Sequence, residues 1–236
     1  MDNKKQTITF KQILWYFIIF SIIGLIIETI FCYITTGVLE SRKGLIWGPF
    51  CPVYGVGAVI LILLLHSYKE KPVELFIAGS ILGNIIEYIL SFLLEAYYGT
   101  RFWDYSYLNW NLNGRICILY SIYWGILSFT LIRYIKQIID KYIIRKIPNT
   151  KHINIIIVVT LLIDGICTVW AVTSYQTRIG VEYYNKQIKT NRSNIEKVKI
   201  KIEETLFSNE IMLKTFPNLR YIDDEGKEYY IKDIIK

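Results

Sequence analysis

The chain has 236 residues, 53% hydrophobic and 20% charged, with a formal net charge of +7. The charge is uneven: residues 1–175 hold 25 of the 47 charged side chains, and residues 176–236 hold the other 22. Long apolar runs in a charge-poor region exclude a soluble enzyme, a DNA-binding domain and a disulfide-stapled secreted module, and they define an integral membrane protein.

Crossing a hydrocarbon core takes roughly 20 apolar residues of helix, because each residue rises only about 1.5 Å. Stretches at about 13–35, 52–68, 73–94, 115–135 and 153–175 meet this within a few residues. They predict an all-α membrane protein, a bundle of five transmembrane helices in residues 1–175, followed by a polar C-terminal tail, 176–236. Lys4, Lys5 and Lys11 precede the first run like the basic start of a signal peptide. That run is too long for a signal core, holds Glu28 and lacks a small-x-small cleavage site, so it reads as a retained helix.

Between the first two spans, Pro49 and Pro52 bracket Cys51 and remove two backbone donors, predicting a rigid, extended entry into the second helix. Gly48 and Gly55 allow tight turning or close packing there. The third span carries Ser80, Asn84, Glu87, Ser91 and Glu95 at spacings of three and four, which places them on one helix face. Gly79 and Gly83 beside that stripe allow a neighbouring helix to approach. In the next connection, Asn111, Asn113 and Gly114 suit a turn into the fourth helix with Asn113 as a cap, and Asp104 suits a turn or a pair with Arg101 or Arg115.

Partial polar stripes recur elsewhere: Ser21, Gly24, Glu28, Cys32 and Thr35 on the first span; Ser121, Gly125 and Ser128 on the fourth; Thr160, Asp164 and Thr168 on the fifth. An ionised group at mid-membrane costs about 2.5–3.5 kcal/mol or more, so Glu28, Glu87, Glu95 and Asp164 need partners. Arg115 is expected to pair with one of these carboxylates, since a guanidinium offers one two donors at once. Such stripes either lock helices together or line a polar, outward-facing vestibule, and both readings stand at this level.

Lys and Arg in the short connections give the orientation. With the N-terminus inside, the cytoplasmic side collects 11 of them and the opposite loops four, or eight once the first part of the tail is counted. The expectation is a cytoplasmic N-terminus and an external tail, with Trp47, Trp103 and Trp110 in the outer aromatic belt and Trp15 in the inner one. In the tail, Ile188, Ile195 and Ile202 recur every seven residues with Val198 among them, predicting an amphipathic helix that packs on its own chain. Leu219–Ile222 and Tyr229–Ile231 flank Asp223–Gly226 and predict a short β-hairpin.

Two segments carry a resemblance. Gly44-Leu-Ile-Trp-Gly-Pro-Phe-Cys-Pro-Val-Tyr-Gly55, and Phe102-Trp-Asp-Tyr-Ser106 followed by Asn111-Leu-Asn-Gly-Arg-Ile-Cys117, resemble the signature segments of the ABC-transporter type IV family, permease-like membrane proteins mainly of Gram-positive bacteria. The resemblance covers roughly residues 10–145, and Glu28, Glu87 and Glu95 match positions where the family pattern carries acids. It implies a multi-pass protein of a bacterial plasma membrane, with Gly48, Pro49, Cys51, Pro52, Tyr54, Gly55, Trp103 and Tyr105 as signature-loop residues.

No G-x-x-x-x-G-K-[ST] segment occurs to cradle nucleotide phosphates, so a transport role would take ATP only through a separate ATPase chain, for which the basic Lys136–Lys151 loop is a candidate dock. That loop also suits anionic lipid headgroups. The other readings are a non-catalytic scaffold or sensor reporting through the tail, and an intramembrane enzyme using Glu28, Glu87 and Asp164 as acid/base groups. No nucleophile–base pair or H-E-x-x-H accompanies those acids, and His66 and His152 fall near the other membrane edge, so no catalytic residue and no metal site are assigned. The expected partners are the bilayer, a separate ATPase subunit and a second copy through helix faces or tail, and no nucleic acid. A Cys51–Cys117 disulfide fits both cysteines starting helices on one side.

Overall fold

The computed structural model describes residues 8–98, 103–148, 150–185, 201–222 and 228–234. Its helices run in the predicted order, the first, third and last longer than expected and the second and fourth shorter. α1 covers Phe10–Thr36, α2 Pro52–Leu65 with a 3-10 turn His66–Tyr68, α3 Pro72–Tyr98, α4 Ile118–Thr130, α5 Lys136–Tyr142 and α6 Lys151–Asn185. A π-helical turn, Leu131–Ile135, joins α4 to α5, and a 3-10 turn, Ile144–Lys146, follows. The expected loop at Lys136–Lys151 is therefore largely helical. Among the described residues four helical stretches are long and apolar enough to cross a membrane: Phe10–Thr36, Pro72–Leu93, Ile118–Lys146 and Lys151–Ile179. Pro52–Tyr68 is apolar but shorter.

The chain forms two compact units. The first comprises Met1–Tyr16 and Val56–Asn149, the second Phe17–Gly55 and Thr150–Lys236. The tail thus belongs with α6, which runs without a break through position 175.

In the first unit, α3 packs along α4 through small residues. A Cβ on Gly83 would fall inside the Trp124 side chain, and one on Gly79 would meet Ser128. The missing side chains let the two backbones approach, which supplies dispersion contacts where lipid offers no hydrophobic drive. The connection above this pair holds a strand pair the sequence reading missed: β1 (Asn111–Leu112) against β2 (Ile116–Cys117). Asn113 and Gly114 both take positive φ, 54° and 68°, and the Arg115 N–H donates to the Leu112 carbonyl at 3.0 Å. Two successive left-handed residues inside a closed four-residue turn follow the I′ pattern, and the pairing of Leu112 with Ile116 leaves three residues, Asn113–Arg115, between the strands. Asn113 is therefore a turn residue, and Cys117 occupies the N-cap of α4 instead.

α1 opens on a capping box. The Gln12 carboxamide oxygen accepts from the Thr9 N–H at 2.9 Å, while the Thr9 hydroxyl accepts from the Gln12 N–H at 3.3 Å. The helix ends at Gly37, whose φ of 72° and 2.9 Å bond from its N–H to the Tyr33 carbonyl make a left-handed stop.

From Gly37, in the second unit, the chain turns back along α1. The Cys51 N–H reaches the Ser21 carbonyl at 3.1 Å, about 22 Å below the end of α1 at 1.5 Å per residue. Gly55 then packs against Ser21 and Phe17, where any side chain would collide. α2 begins beside the middle of α1, with Pro52 at its first position where the missing N–H costs nothing.

The tail is not a separate body. Phe207, Met212 and Ile231 bury against Ala171, Tyr175 and Ile179 of α6 and against Ile46 of the returning loop. The predicted hairpin forms, β3 (Arg220–Ile222) antiparallel to β4 (Glu228–Tyr230). Ile202 lies in a described helical stretch, 201–206, whereas Ile188, Ile195, Val198 and the turn Asp223–Gly226 lie outside the described residues, as do Lys4, Lys5 and Arg101. All four cysteines, Cys51 and Cys117 included, are free thiols.

Candidate functional site

The polar stripe of α3 faces α4 and the hairpin connection. Asn84 donates to the Ser121 hydroxyl at 2.8 Å. One turn on, Glu87 is 8% exposed, and each of its oxygens accepts one bond: Oε1 from the Tyr105 hydroxyl and Oε2 from the Trp124 indole N–H, both at 2.9 Å. Both partners are neutral. Burial first, then the hydrogen bond and charge of Glu87, push the Tyr105 hydroxyl well above the usual phenol range, so it stays a donor. Tyr105 also stacks on Tyr120 with ring centroids 4.4 Å apart, which fixes the direction of its hydroxyl.

The next two turns hold a cation. Arg115 donates to Ser91 at 3.0 Å and forms an ion pair with Glu95. Its guanidinium lies 5.7 Å from the Tyr88 ring centroid and 5.6 Å from that of Phe92, within cation–π range. Trp103 donates to the Arg115 carbonyl at 3.1 Å, and Asn113 donates to the Tyr88 hydroxyl at 2.9 Å. Asp104 accepts from the Ser106 N–H and hydroxyl at 2.9 and 2.6 Å, a local turn cap. The connection 103–117 is thus tied to α3 by its own polar side chains, and Glu87, Ser91 and Glu95 are the ties.

In the second unit the carboxylates also hold irregular backbone. Asp164, 4% exposed, accepts from the Trp47 N–H at 3.2 Å and from the Thr168 hydroxyl at 3.3 Å. Thr168 in turn accepts from the Ile46 N–H at 2.9 Å. The i, i+4 spacing on α6 therefore satisfies two consecutive amides of a non-helical segment that lies beside helices rather than beyond their ends. Non-helical backbone at membrane depth is tolerated only where protein or water supplies partners. Asp164→Ala should orphan the Trp47 amide and cost about 1–3 kcal/mol, with Asp164→Asn costing less because its carbonyl oxygen still accepts. Unfolding in detergent micelles would measure the order.

Glu28 is half-buried and accepts from the Tyr54 hydroxyl. One turn on, Arg42 donates to the Cys32 thiol at 2.7 Å, and the charge of Glu28 reaches the guanidinium. Of the fifth-span stripe, Thr160 does not join: it is exposed and bonds its own helix at the Ile156 carbonyl. Gly48 takes a φ of 69° and Pro49 is exposed in the loop between these anchors.

The carboxylates are therefore distributed. Glu87 and Glu95 sit in the first unit with Asn84, Arg115, Trp103 and Tyr105; Glu28 and Asp164 sit in the second with Cys51 and Tyr54. Trp124, Tyr88 and Phe92 were missed at the sequence level, since nothing in spacing separates an aromatic that meets a buried acid from one that faces lipid. Arg42 was counted only as a loop charge. No cluster of three or more metal-ligating side chains occurs among the described residues.

Residues 15–169 match the family model described as "Putative ABC-transporter type IV". The chain belongs to this family. The match runs through both signature segments and onward into α6, beyond the expected limit near residue 145, and so includes Asp164. Within the type IV family region lie all the anchors just described except the tail. No curated protein and no solved structure matches the chain.

Proposed function

We propose that this type IV family protein is the permease-like membrane component of an ABC-type transport system, energised by a separate ATPase chain. Family membership over residues 15–169 carries the reading. In it, the chain crosses a bacterial plasma membrane five times, the second crossing being made jointly by the returning loop Gly37–Cys51 and the short α2. Lys11, Lys69, Lys71, Arg133, Lys136, Lys141, Arg145, Lys146 and Lys151 put the N-terminus inside and the tail outside.

The polar groups around Glu87 in the first unit, outward-facing on this orientation, serve as the substrate-responsive site. Supporting this, both partners of Glu87 are neutral donors, so a solute's cation or hydroxyl competes with two modest hydrogen bonds rather than with a buried ion pair.

A liposome assay with and without a candidate ATPase chain tests the reading. ATP-dependent flux of some solute, reduced at least about tenfold in Glu87→Gln, is the expected result, a loss of about 1.4 kcal/mol of coupling. Absence of flux for every solute tried, with ATPase activity unaffected by this chain, would favour a sensor. One observation supports that second reading: Ile46 of the signature loop is buried in the tail's core, and Lys232 pairs with Glu40 at 3.2 Å, so tail and loop are packed together.

A further inference from the structure

The first unit contains a cavity of about 390 Å3 that none of the carboxylate ties touches. It lies where helices end: Gln12 from the first turn of α1, His66 and Lys69 from the end of α2, Lys136 and Asp140 from α5, and Arg145 from the turn after it all line it. In a bilayer, helix ends of apolar spans fall at headgroup depth.

The π turn explains why these groups converge. One extra residue in the turn rotates everything after it by about 100° relative to a continued α-helix. Gln137 donates to the Ile132 carbonyl at 3.2 Å inside the turn, stabilising the irregularity. Lys11 donates to the carbonyls of Ile144, at 3.1 Å, and Ile147, which pins the Arg145 turn to the start of α1. The walls are therefore fixed before any ligand arrives.

The charge is unbalanced. Asp140 is the single acid on the lining, and it is already engaged, accepting from the Tyr16 hydroxyl and pairing with Lys136 at 2.6 Å. Among the described residues Lys69 has only a 3.5 Å ion pair, to Glu70, whose side chain is 80% exposed and screened by water. Arg145 makes no ion pair among the described residues and is exposed. A fixed, concave site with two cations to spare recruits an anion with several acceptor oxygens, because charge-assisted bonds from Arg and Lys are the strong ones.

We propose that this cavity binds a phosphate group, carried by an anionic phospholipid headgroup or by a soluble phosphate ester. The volume falls in the ~300–1,000 Å3 range of small-molecule sites and exceeds the need of a phosphate alone, so a glycerol-sized substituent fits beside it.

The test uses the full chain in phosphatidylcholine nanodiscs, titrated with dioctanoyl phosphatidylglycerol, dioctanoyl phosphatidylcholine and inorganic phosphate. The variant is Lys69→Gln with Arg145→Gln. Neither residue anchors the fold, and Lys136, which holds Asp140, is left in place. Saturable phosphatidylglycerol binding is expected, absent for phosphatidylcholine, weakened at least about tenfold in the double variant and falling as ionic strength rises. Competition by inorganic phosphate at matching concentration would assign the site to soluble esters, and its failure to compete would assign it to lipid. The proposal is overturned if phosphatidylglycerol and phosphate bind the wild type no better than phosphatidylcholine, or if the double variant, folded by its melting curve, binds as the wild type does.

Discussion

Glu87→Ala is expected to destabilise the protein by about 2–4 kcal/mol, because it strands a buried donor and a half-buried one at once. The Tyr105 hydroxyl and the Trp124 indole each lose their acceptor, and α4 and the connection above it lose their common tie. Glu87→Gln is expected to cost less than about 1.5 kcal/mol. The amide oxygen can serve Trp124, which only donates, while the amide nitrogen faces Tyr105, whose hydroxyl can turn and accept. Reversible unfolding in mild detergent would resolve the two. Equal losses for Ala and Gln would mean the negative charge itself, rather than hydrogen-bond acceptance, holds this site.

Arg115→Met is expected to cost about 2–4 kcal/mol. It leaves the Glu95 carboxylate without its guanidinium, frees Ser91 and removes the cation from between Tyr88 and Phe92. The estimate sits below the full penalty of a buried unpaired charge because the Glu95 side chain is 31% exposed and water reaches it. Adding Glu95→Gln should recover at least half of the loss, and exchange of the two charges, Arg115→Glu with Glu95→Arg, should recover part of it. A double-mutant cycle reads the coupling directly. Strictly additive effects would show that Arg115 acts through its aromatic contacts and not through Glu95.

These two residues also show where sequence reasoning reaches. The stripe Asn84, Glu87, Ser91 and Glu95 was legible because helical spacing alone puts i, i+3 and i+4 on one face, and α3 turns that face to α4. The chemistry of each carboxylate was not legible. Glu87 and Glu95 differ by only two turns, yet one meets neutral donors and the other a cation, because an I′ hairpin sets Arg115 and Tyr105 at different heights above α3. Asn113-Gly114 marked a turn, but the two-residue strands beside it are too short for any periodic signal, so the hairpin was not legible.

Composition and apolar run length determined the class of this protein: charge-poor stretches near 20 residues admit only membrane helices, and the two signature segments carried the family. Hydrophobic length could not decide how far α2 reaches. That depends on where Cys51 lands beside α1, a contact between a loop amide and the Ser21 carbonyl that leaves no trace in residue type. The partners of Asp164 were likewise decided by tertiary structure, since helical spacing does not say which groups a carboxylate within a span meets, here the Trp47 amide of a chain segment folded back against α6.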